Sequence, residues 1–242
     1  MNERIRLSGG SSSKNSVKFS ADVVSVEASR NDDGTIETLE LNPEEMIKYL
    51  NARISDYRLM IGLCLFKELV FLFGFNNWIF HIPTVFWGVI LFLGVLRLIR
   101  NPETRMYHGA EHKVAKCYQK NGELNIEQVS KFSRIHPSCG TNFVATAFSL
   151  HLFSSIFFAI WNIHIPEILI CALQVFGYKY FPFNFLGLLL QIITTSEPEK
   201  RHIEVAICAL TETVKLATPK AEEEHKKNKQ EWEEFKQKFK KK

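Results

Sequence analysis

The chain has 242 residues, of which 46% are hydrophobic, and its formal net charge is only +4. This modest charge does not indicate a nucleic-acid-binding protein, and no nucleic-acid recognition motif occurs. Five scattered cysteines, an odd number, argue against a disulfide framework. The apolar residues are concentrated in long runs, which instead indicates a membrane protein.

The N-terminal region, residues 1–57, is polar and contains one small predicted β element. Residues 1–15 are rich in Ser, Gly and Asn, and we expect them to be mobile. Apolar and polar residues then alternate over 17–41 around an Asn31-Asp32-Asp33-Gly34 turn, which predicts a β-hairpin. A helix is predicted to begin at Pro43 and to run toward the membrane.

Four membrane spans are predicted, at about 59–75, 78–98, 142–163 and 168–193. A spanning helix needs about twenty apolar residues, and three stretches satisfy this requirement. Charged residues are absent from Leu69 to Leu96 and from Thr141 to Pro166, and only Lys179 interrupts Ile168 to Ser196. The fold class is therefore mainly α: a multipass helical membrane protein with a small N-terminal β element and a cytoplasmic helical loop.

Two of the spans carry interruptions. Lys67 and Glu68 lie in the middle of the first span, where charge is costly unless it is paired or faces the helix bundle. The alternative is that this segment is a re-entrant or interfacial helix. Gly177, Lys179 and Pro182 interrupt the fourth span, and they favour its division into two half-helices.

Segment 100–141 is predicted to lie in the cytoplasm because its seven Lys and Arg residues outnumber four acidic ones. Both termini then fall on the same side. The chain divides into the N-terminal region 1–57, membrane helices over 58–99, the cytoplasmic loop 100–141, membrane helices over 142–193, and a C-terminal helix with a basic tail over 194–242. The lipid bilayer is the expected partner, together with other membrane proteins.

His108, Glu111 and His112 form a potential metal site within a helix predicted over 103–119. Their spacing of three and four residues places them on one helix face. Two such histidines can bind one Zn²⁺, and the carboxylate can accept a proton from water, as in H-x-x-E-H proteases. The alternative for so short a pattern is a solvated helix face.

A second potential ligand pair is His136 and Cys139. The run His136-Pro137-Ser138-Cys139-Gly140 is similar to a zinc knuckle, in which two ligands lie on a tight turn. A short helix over 125–132, capped by Asn125, precedes it. Zinc suits mixed imidazole and thiolate ligands, with iron or manganese as alternatives. Otherwise Cys139 is a small buried hydrophobe and His136 a turn residue.

The C-terminal region is predicted to begin with a helix that starts near 194–198 and has an apolar stripe. The stripe consists of Ile203, Ile207, Leu210 and Val214. Glu204 is offset from this stripe, either as a solvated carboxylate or as a site residue. The final stretch, 219–242, is rich in Lys and Glu, and it is either an interfacial helix or a solvated segment.

These motifs resemble the YqhQ-like family of bacterial multipass membrane proteins, which are described as predicted metal-dependent enzymes. The resemblance rests on residues 107–113, 131–141 and 194–206. It implies the bacterial inner membrane as the location and a site built from His108, Glu111, His112, His136, Cys139 and Glu204. The N-terminus departs from the family, which has Gly-Gly-Gln where this chain has Gly9-Gly10-Ser11.

Three functions follow from these patterns. The leading one is a zinc-dependent membrane hydrolase at the cytoplasmic face, with Glu111 as general base and with His136, Cys139 or Glu204 completing the metal site. Because catalysis needs an open coordination position, not all of these residues can be ligands. The rival is a scaffold with structural zinc on His108, His112, His136 and Cys139. A transporter is the third function. For the hydrolase, the patterns do not distinguish between a peptide, a lipid headgroup and a membrane-anchored precursor as substrate.

Overall fold

The computed structural model describes residues 5, 7–21, 24–41, 62, 82–161, 165–180 and 182–219. The helix predicted to begin at Pro43, the predicted first span apart from Gly62, and the tail beyond residue 219 lie outside these described residues. The described part is mainly helical with a small antiparallel sheet near the N-terminus, as the sequence predicts.

The sheet has four strands in the order β1-β2-β3-β4, each antiparallel to the next. The strands are β1 (Gly9–Ser12), β2 (Ser16–Ala21), β3 (Val24–Arg30) and β4 (Ile36–Glu40). Gly34 has a φ of 88° in the β3–β4 turn, which confirms the predicted hairpin. The expectation of a mobile segment over 1–15 is wrong for 9–12. Pairing with β2 holds this Gly-Ser strand despite its low strand propensity.

Seven helices follow in the described residues. They are α1 (Ile82–Arg100), α2 (Pro102–Asn121), α3 (Ile126–Ser130), α4 (Gly140–Trp161), α5 (Glu167–Gly177), α6 (Phe185–Thr194) and α7 over 200–219. Asn101 caps α2, whose last turn ends at Gly122 with a φ of 77°. Asn125 caps α3 by accepting a hydrogen bond from the Gln128 main-chain N–H.

The sheet, α2 and α7 share one hydrophobic core. Its buried residues include Phe19 from β2, Val114 from α2 and Leu210 from α7. The predicted apolar stripe of α7 is partly right, because Ile203 and Leu210 are buried whereas Ile207 and Val214 are only half-buried. This core fixes the position of the helix that carries the H-x-x-E-H pattern.

Four apolar helices, α1, α4, α5 and α6, make up the other part of the structure. Among the described residues, α4 is the helix that is long and apolar enough by itself to cross a membrane. Helix α1 coincides with most of the predicted second span. The predicted fourth span is divided into α5 and α6, as its interruptions indicate.

Gly109 lets α2 lie close to the segment 195–199. A Cβ at this position would overlap the main-chain carbonyl oxygen of Ser196. We expect Gly109→Ala to lower the free energy of unfolding by about 2 kcal/mol, because this steric cost exceeds the helix propensity gained. Urea unfolding in detergent measures the change. Gly94→Ala, where a Cβ would meet nothing within 4 Å, is the control, and equal stability of both variants would contradict the expectation.

Glu103 ties the start of α2 to the start of α7. Its carboxylate accepts a hydrogen bond from Nε2 of the fully buried His202 at 2.9 Å and pairs with Arg201 at 2.8 Å. The His202 hydrogen bond is the main cause that lowers the pKa of Glu103. The resulting stabilisation is therefore present above the unfolded-state pKa and is lost as pH falls through the folded-state pKa.

We expect Glu103→Gln to lower the free energy of unfolding by about 1 kcal/mol at pH 7. The difference from the parent should shrink as pH falls below about 4, near the ordinary carboxyl pKa. Urea unfolding at several pH values measures this dependence. Glu212→Gln, which removes only an exposed pair with Lys215, is the matched control. A difference that does not vary with pH would refute the assignment.

Candidate metal centre

His108, His112 and Cys139 bring three potential ligand atoms together. These atoms lie within 4.8 Å of one another, and all three side chains are buried. The sulfur of Cys139 is 3.4 Å from Nε2 of His108. Typical bond lengths in a tetrahedral zinc site place nitrogen and sulfur ligands about 3.5 Å apart. The cluster, which joins α2 to the residue before α4, can therefore hold a metal ion.

Both histidines of α2 are oriented through Nδ1. The Nδ1 atom of His108 is 3.3 Å from the carbonyl oxygen of Thr194, and that of His112 is 2.6 Å from the carbonyl oxygen of Arg134. Because a carbonyl only accepts, each Nδ1 must carry the proton and donate. The Nε2 lone pairs are thereby left for a metal, which is how proteins commonly orient ligating histidines.

His136 lies beside this group and has the other tautomer of the imidazole ring. Its ring centroid is 5.6 Å from that of His112. Its Nδ1 accepts a hydrogen bond from the Ser138 main-chain N–H at 3.1 Å, so Nε2 carries the proton of the neutral ring. Burial lowers the pKa of His136 to about 4, assisted by Lys116 and Lys179. In this arrangement His136 is a hydrogen-bond donor, and its role as a ligand stays a prediction.

The protonation of His112 and Cys139 depends on their burial. Burial, with His108 as the next contribution, lowers the pKa of His112 well below its usual value, so its ring is neutral. Burial raises the pKa of Cys139, and hydrogen bonds from Thr141 and the Asn142 main chain oppose the rise. Cys139 directly precedes α4, and the main-chain amide groups at a helix N-terminus favour a thiolate. A bound cation would favour the thiolate further.

Two buried amide side chains hold the loop 136–139 in place. Gln191 accepts a hydrogen bond from the His136 main-chain N–H at 2.7 Å and donates to the Asn142 side chain at 2.7 Å. Asn142 donates to the Pro137 carbonyl oxygen at 2.7 Å. The sequence reasoning missed both residues. Their signal is an amide within an apolar segment, which is costly unless it is hydrogen-bonded.

Arg134 holds the end of α6 beside the cluster. Its Nη1 donates to the carbonyl oxygens of Ile192 at 3.2 Å and Thr195 at 2.5 Å. A cation at a helix C-terminus satisfies carbonyl groups that have no partner within the helix. This interaction positions Thr194, whose carbonyl orients His108.

Glu111 lies one turn from His108 and is only 9% exposed. Strand β1 covers it: the Ser12 side chain hydrogen-bonds to the carboxyl group, and a Cβ at Gly10 would overlap a carboxyl oxygen. Burial raises the pKa of Glu111 to about 7, with His108 opposing and Cys139 adding to the rise. A carboxyl that titrates near neutral pH is suited to general base catalysis.

Glu204, the remaining sequence-predicted ligand, lies outside the His108–His112–Cys139 group. Its carboxylate pairs with Arg30 of β3 at 2.7 Å. This ion pair connects α7 to the sheet and gives no support to a ligand role.

The family described as "Protein of unknown function (DUF1385)" matches residues 13–216, a range that contains the whole cluster. The chain is also 32% identical over 148 residues to "Uncharacterized protein YqhQ" of Bacillus subtilis (strain 168). That similarity covers 53% of this chain and 45% of the relative, so it spans less than half of the relative's length. No solved structure shows a significant match.

Proposed function

The chain belongs to the DUF1385 family, and we propose that it is a metal-dependent hydrolase of the bacterial inner membrane, with zinc as the preferred metal. The observation that carries the proposal is the buried His108–His112–Cys139 group. Carbonyl groups engage Nδ1 of both histidines and leave Nε2 for the metal. Three protein ligands leave one tetrahedral position open, which distinguishes catalytic from structural zinc sites.

The residues around this group have separate roles in the proposed reaction. A divalent cation would lower the pKa of a bound water molecule to about 7. Glu111, which lies next to His112 and one turn from His108, would take the proton from the attacking water and pass it to the leaving group. In its observed tautomer, His136 carries a proton on Nε2. This N–H group would donate a hydrogen bond to negative charge that develops on the substrate. Gln191 and Asn142 hold the loop so that these groups keep their positions.

Membrane insertion is the second part of the proposal, and it is supported by exposed apolar side chains. The described large hydrophobic residues that are exposed lie, apart from Leu39 and Tyr180, on α1, α4, α5 and α6. Such a surface is unfavourable in water and suits lipid. We therefore infer several spans, with α5 and α6 as a broken one. We propose that the basic segment 100–141 and both termini lie on the cytoplasmic side, because cytoplasmic segments carry an excess of Lys and Arg.

A structural zinc site is the rival function, because the His136 ring lies close enough to His112 to suggest a fourth ligand. That role requires His136 to give up the hydrogen bond that its Nδ1 accepts from Ser138. His136→Gln separates the two functions. A three-ligand site retains its zinc in this variant, whereas a four-ligand site loses it.

Activity is tested with protein purified into lipid nanodiscs and offered fluorogenic peptide, phospholipid-ester and phosphate-ester substrates. Three states are compared: zinc-loaded, chelated, and chelated with zinc restored. We expect hydrolysis of one bond class that disappears on chelation and returns with zinc. Zinc-loaded protein that hydrolyses none of the three classes, and that loses zinc on His136→Gln, would favour the structural site.

A further inference from the structure

The faces of α2 show what lies on each side of Glu111. At about 100° per residue, Tyr107, Ala110 and Val114 lie on one side of it, and His108 and His112 lie on the other. The first three residues belong to the core shared with Val17 and Phe19 of β2 and with α7. Around α2, the core residues therefore lie on one side of Glu111, which is beneath β1, and the metal ligands lie on the other side.

Strand β1 is one of the two outer strands of the sheet. One edge of β1 pairs with β2, whose Val17 and Phe19 belong to the same core as Tyr107. The opposite edge is the outer edge of the sheet, on the strand that covers Glu111, the neighbour of His112 in α2. None of the four described strands pairs with this edge.

The two outer strands of the sheet differ in how they are protected. Strand β4 carries Glu37 and Glu40, and charged residues are the usual protection of an exposed edge. Strand β1 consists of Gly9, Gly10, Ser11 and Ser12 and has no charge or proline. Gly10 and Ser11 are exposed, and because Gly10 has no side chain, its exposed surface is main chain. Among the described strands, β1 is thus the outer strand that lacks charged residues, and it is also the strand that covers Glu111.

We infer that an extended polypeptide segment docks on the free edge of β1 as an added strand and runs beside Glu111 toward the metal centre. The cleavage of that segment rests on the proposed hydrolase function. Main-chain donors and acceptors of an edge strand match those of a second peptide backbone, whereas a lipid headgroup lacks this repeating pattern. Peptide hydrolysis then adds the hydroxyl of water to the carbonyl carbon. The C–N bond breaks, and Glu111 passes the proton to the leaving nitrogen.

Binding is measured with zinc-loaded Glu111→Gln protein in nanodiscs, so that bound peptide is not consumed. The probe is a fluorescein-labelled, Thr- and Val-rich peptide of ten residues. Two matched probes carry N-methyl groups on alternate amides. One probe is methylated at the odd-numbered residues and the other at the even-numbered residues. We expect one of the two methylated peptides to bind at least tenfold more weakly, because its blocked amides face β1. Equal binding of all three probes would overturn docking on the edge.

The position of the bound peptide is tested by photo-crosslinking. Ser11 on β1 and Thr38 on β4 are both exposed, and each is replaced in turn by p-benzoylphenylalanine. Crosslinks to the unmethylated peptide from position 11 and not from position 38 are expected, and equal yields would refute the inference. Crosslinking at position 11 without cleavage by the parent would uphold docking and count against the hydrolase. Zinc-dependent cleavage of a phospholipid without crosslinking would support the hydrolase and overturn peptide docking.

Discussion

Glu111→Gln is expected to lower the turnover number about a thousandfold while zinc remains bound, since general base catalysis contributes about 10²–10⁴ in rate. The amide keeps the shape of the side chain beneath β1 but cannot take a proton. Single-turnover hydrolysis of the bond class found active, together with zinc content by elemental analysis, measures both effects. Glu127→Gln, at an exposed position of α3, is the control and should leave the rate unchanged.

The fold of Glu111→Gln should remain at least as stable as that of the parent. The carboxyl is almost fully buried, and a neutral amide does not carry the cost of burying a charge. Thermal unfolding of the zinc-free proteins at pH 8 tests this point. If the variant keeps more than about a tenth of the parent rate, Glu111 is not the general base. Loss of zinc from the variant would place Glu111 among the ligands.

Cys139→Ser is expected to weaken zinc binding by at least about a hundredfold, because loss of groups that merely orient a ligand already costs about 10–100-fold. A serine hydroxyl does not replace the thiolate, the soft ligand of the site. Competition with a chelator of known affinity measures the dissociation constant. Cys208→Ser, in α7 and outside the cluster, is the matched control.

The zinc-free parent should nevertheless stay folded. Gln191, Asn142 and Arg134 hold the loop and the end of α6 through hydrogen bonds that do not involve a metal. Circular dichroism and the unfolding temperature before and after chelation test this expectation. Cooperative unfolding on chelation would support structural zinc. Zinc binding to Cys139→Ser with the parent affinity would exclude Cys139 as a ligand in both the three-ligand and the four-ligand site.

Local signals predicted several elements of the fold because each depends on neighbours in sequence. Asn101 with Pro102 begins α2, Asn125 caps α3, and the Asp33-Gly34 turn forms the hairpin. Strand β1 was missed because Gly and Ser residues have no strand signal of their own. In the structure it pairs with β2 and packs on α2, and both of these are tertiary contacts.

The same distinction holds for the candidate site: its local spacing was predictable from the sequence, and its tertiary contacts were not. Helical spacing predicted that His108, Glu111 and His112 share one helix face, and the similarity to a zinc knuckle identified Cys139 as a potential ligand. Spacing could not show that the Ser138 amide would fix the tautomer of His136. Nor could it show that Gln191, from a helix distant in sequence, would bind the loop, since both depend on how the helices pack.

The most direct test of the central claim is the zinc content and X-ray absorption spectrum of the purified parent protein. We predict one zinc per chain, bound by two imidazole nitrogens, one sulfur and one further light atom that does not come from His136. A spectrum unchanged in His136→Gln would agree with this open site. Absence of bound metal in well-folded protein would contradict the account, and so would a third imidazole that is lost in His136→Gln.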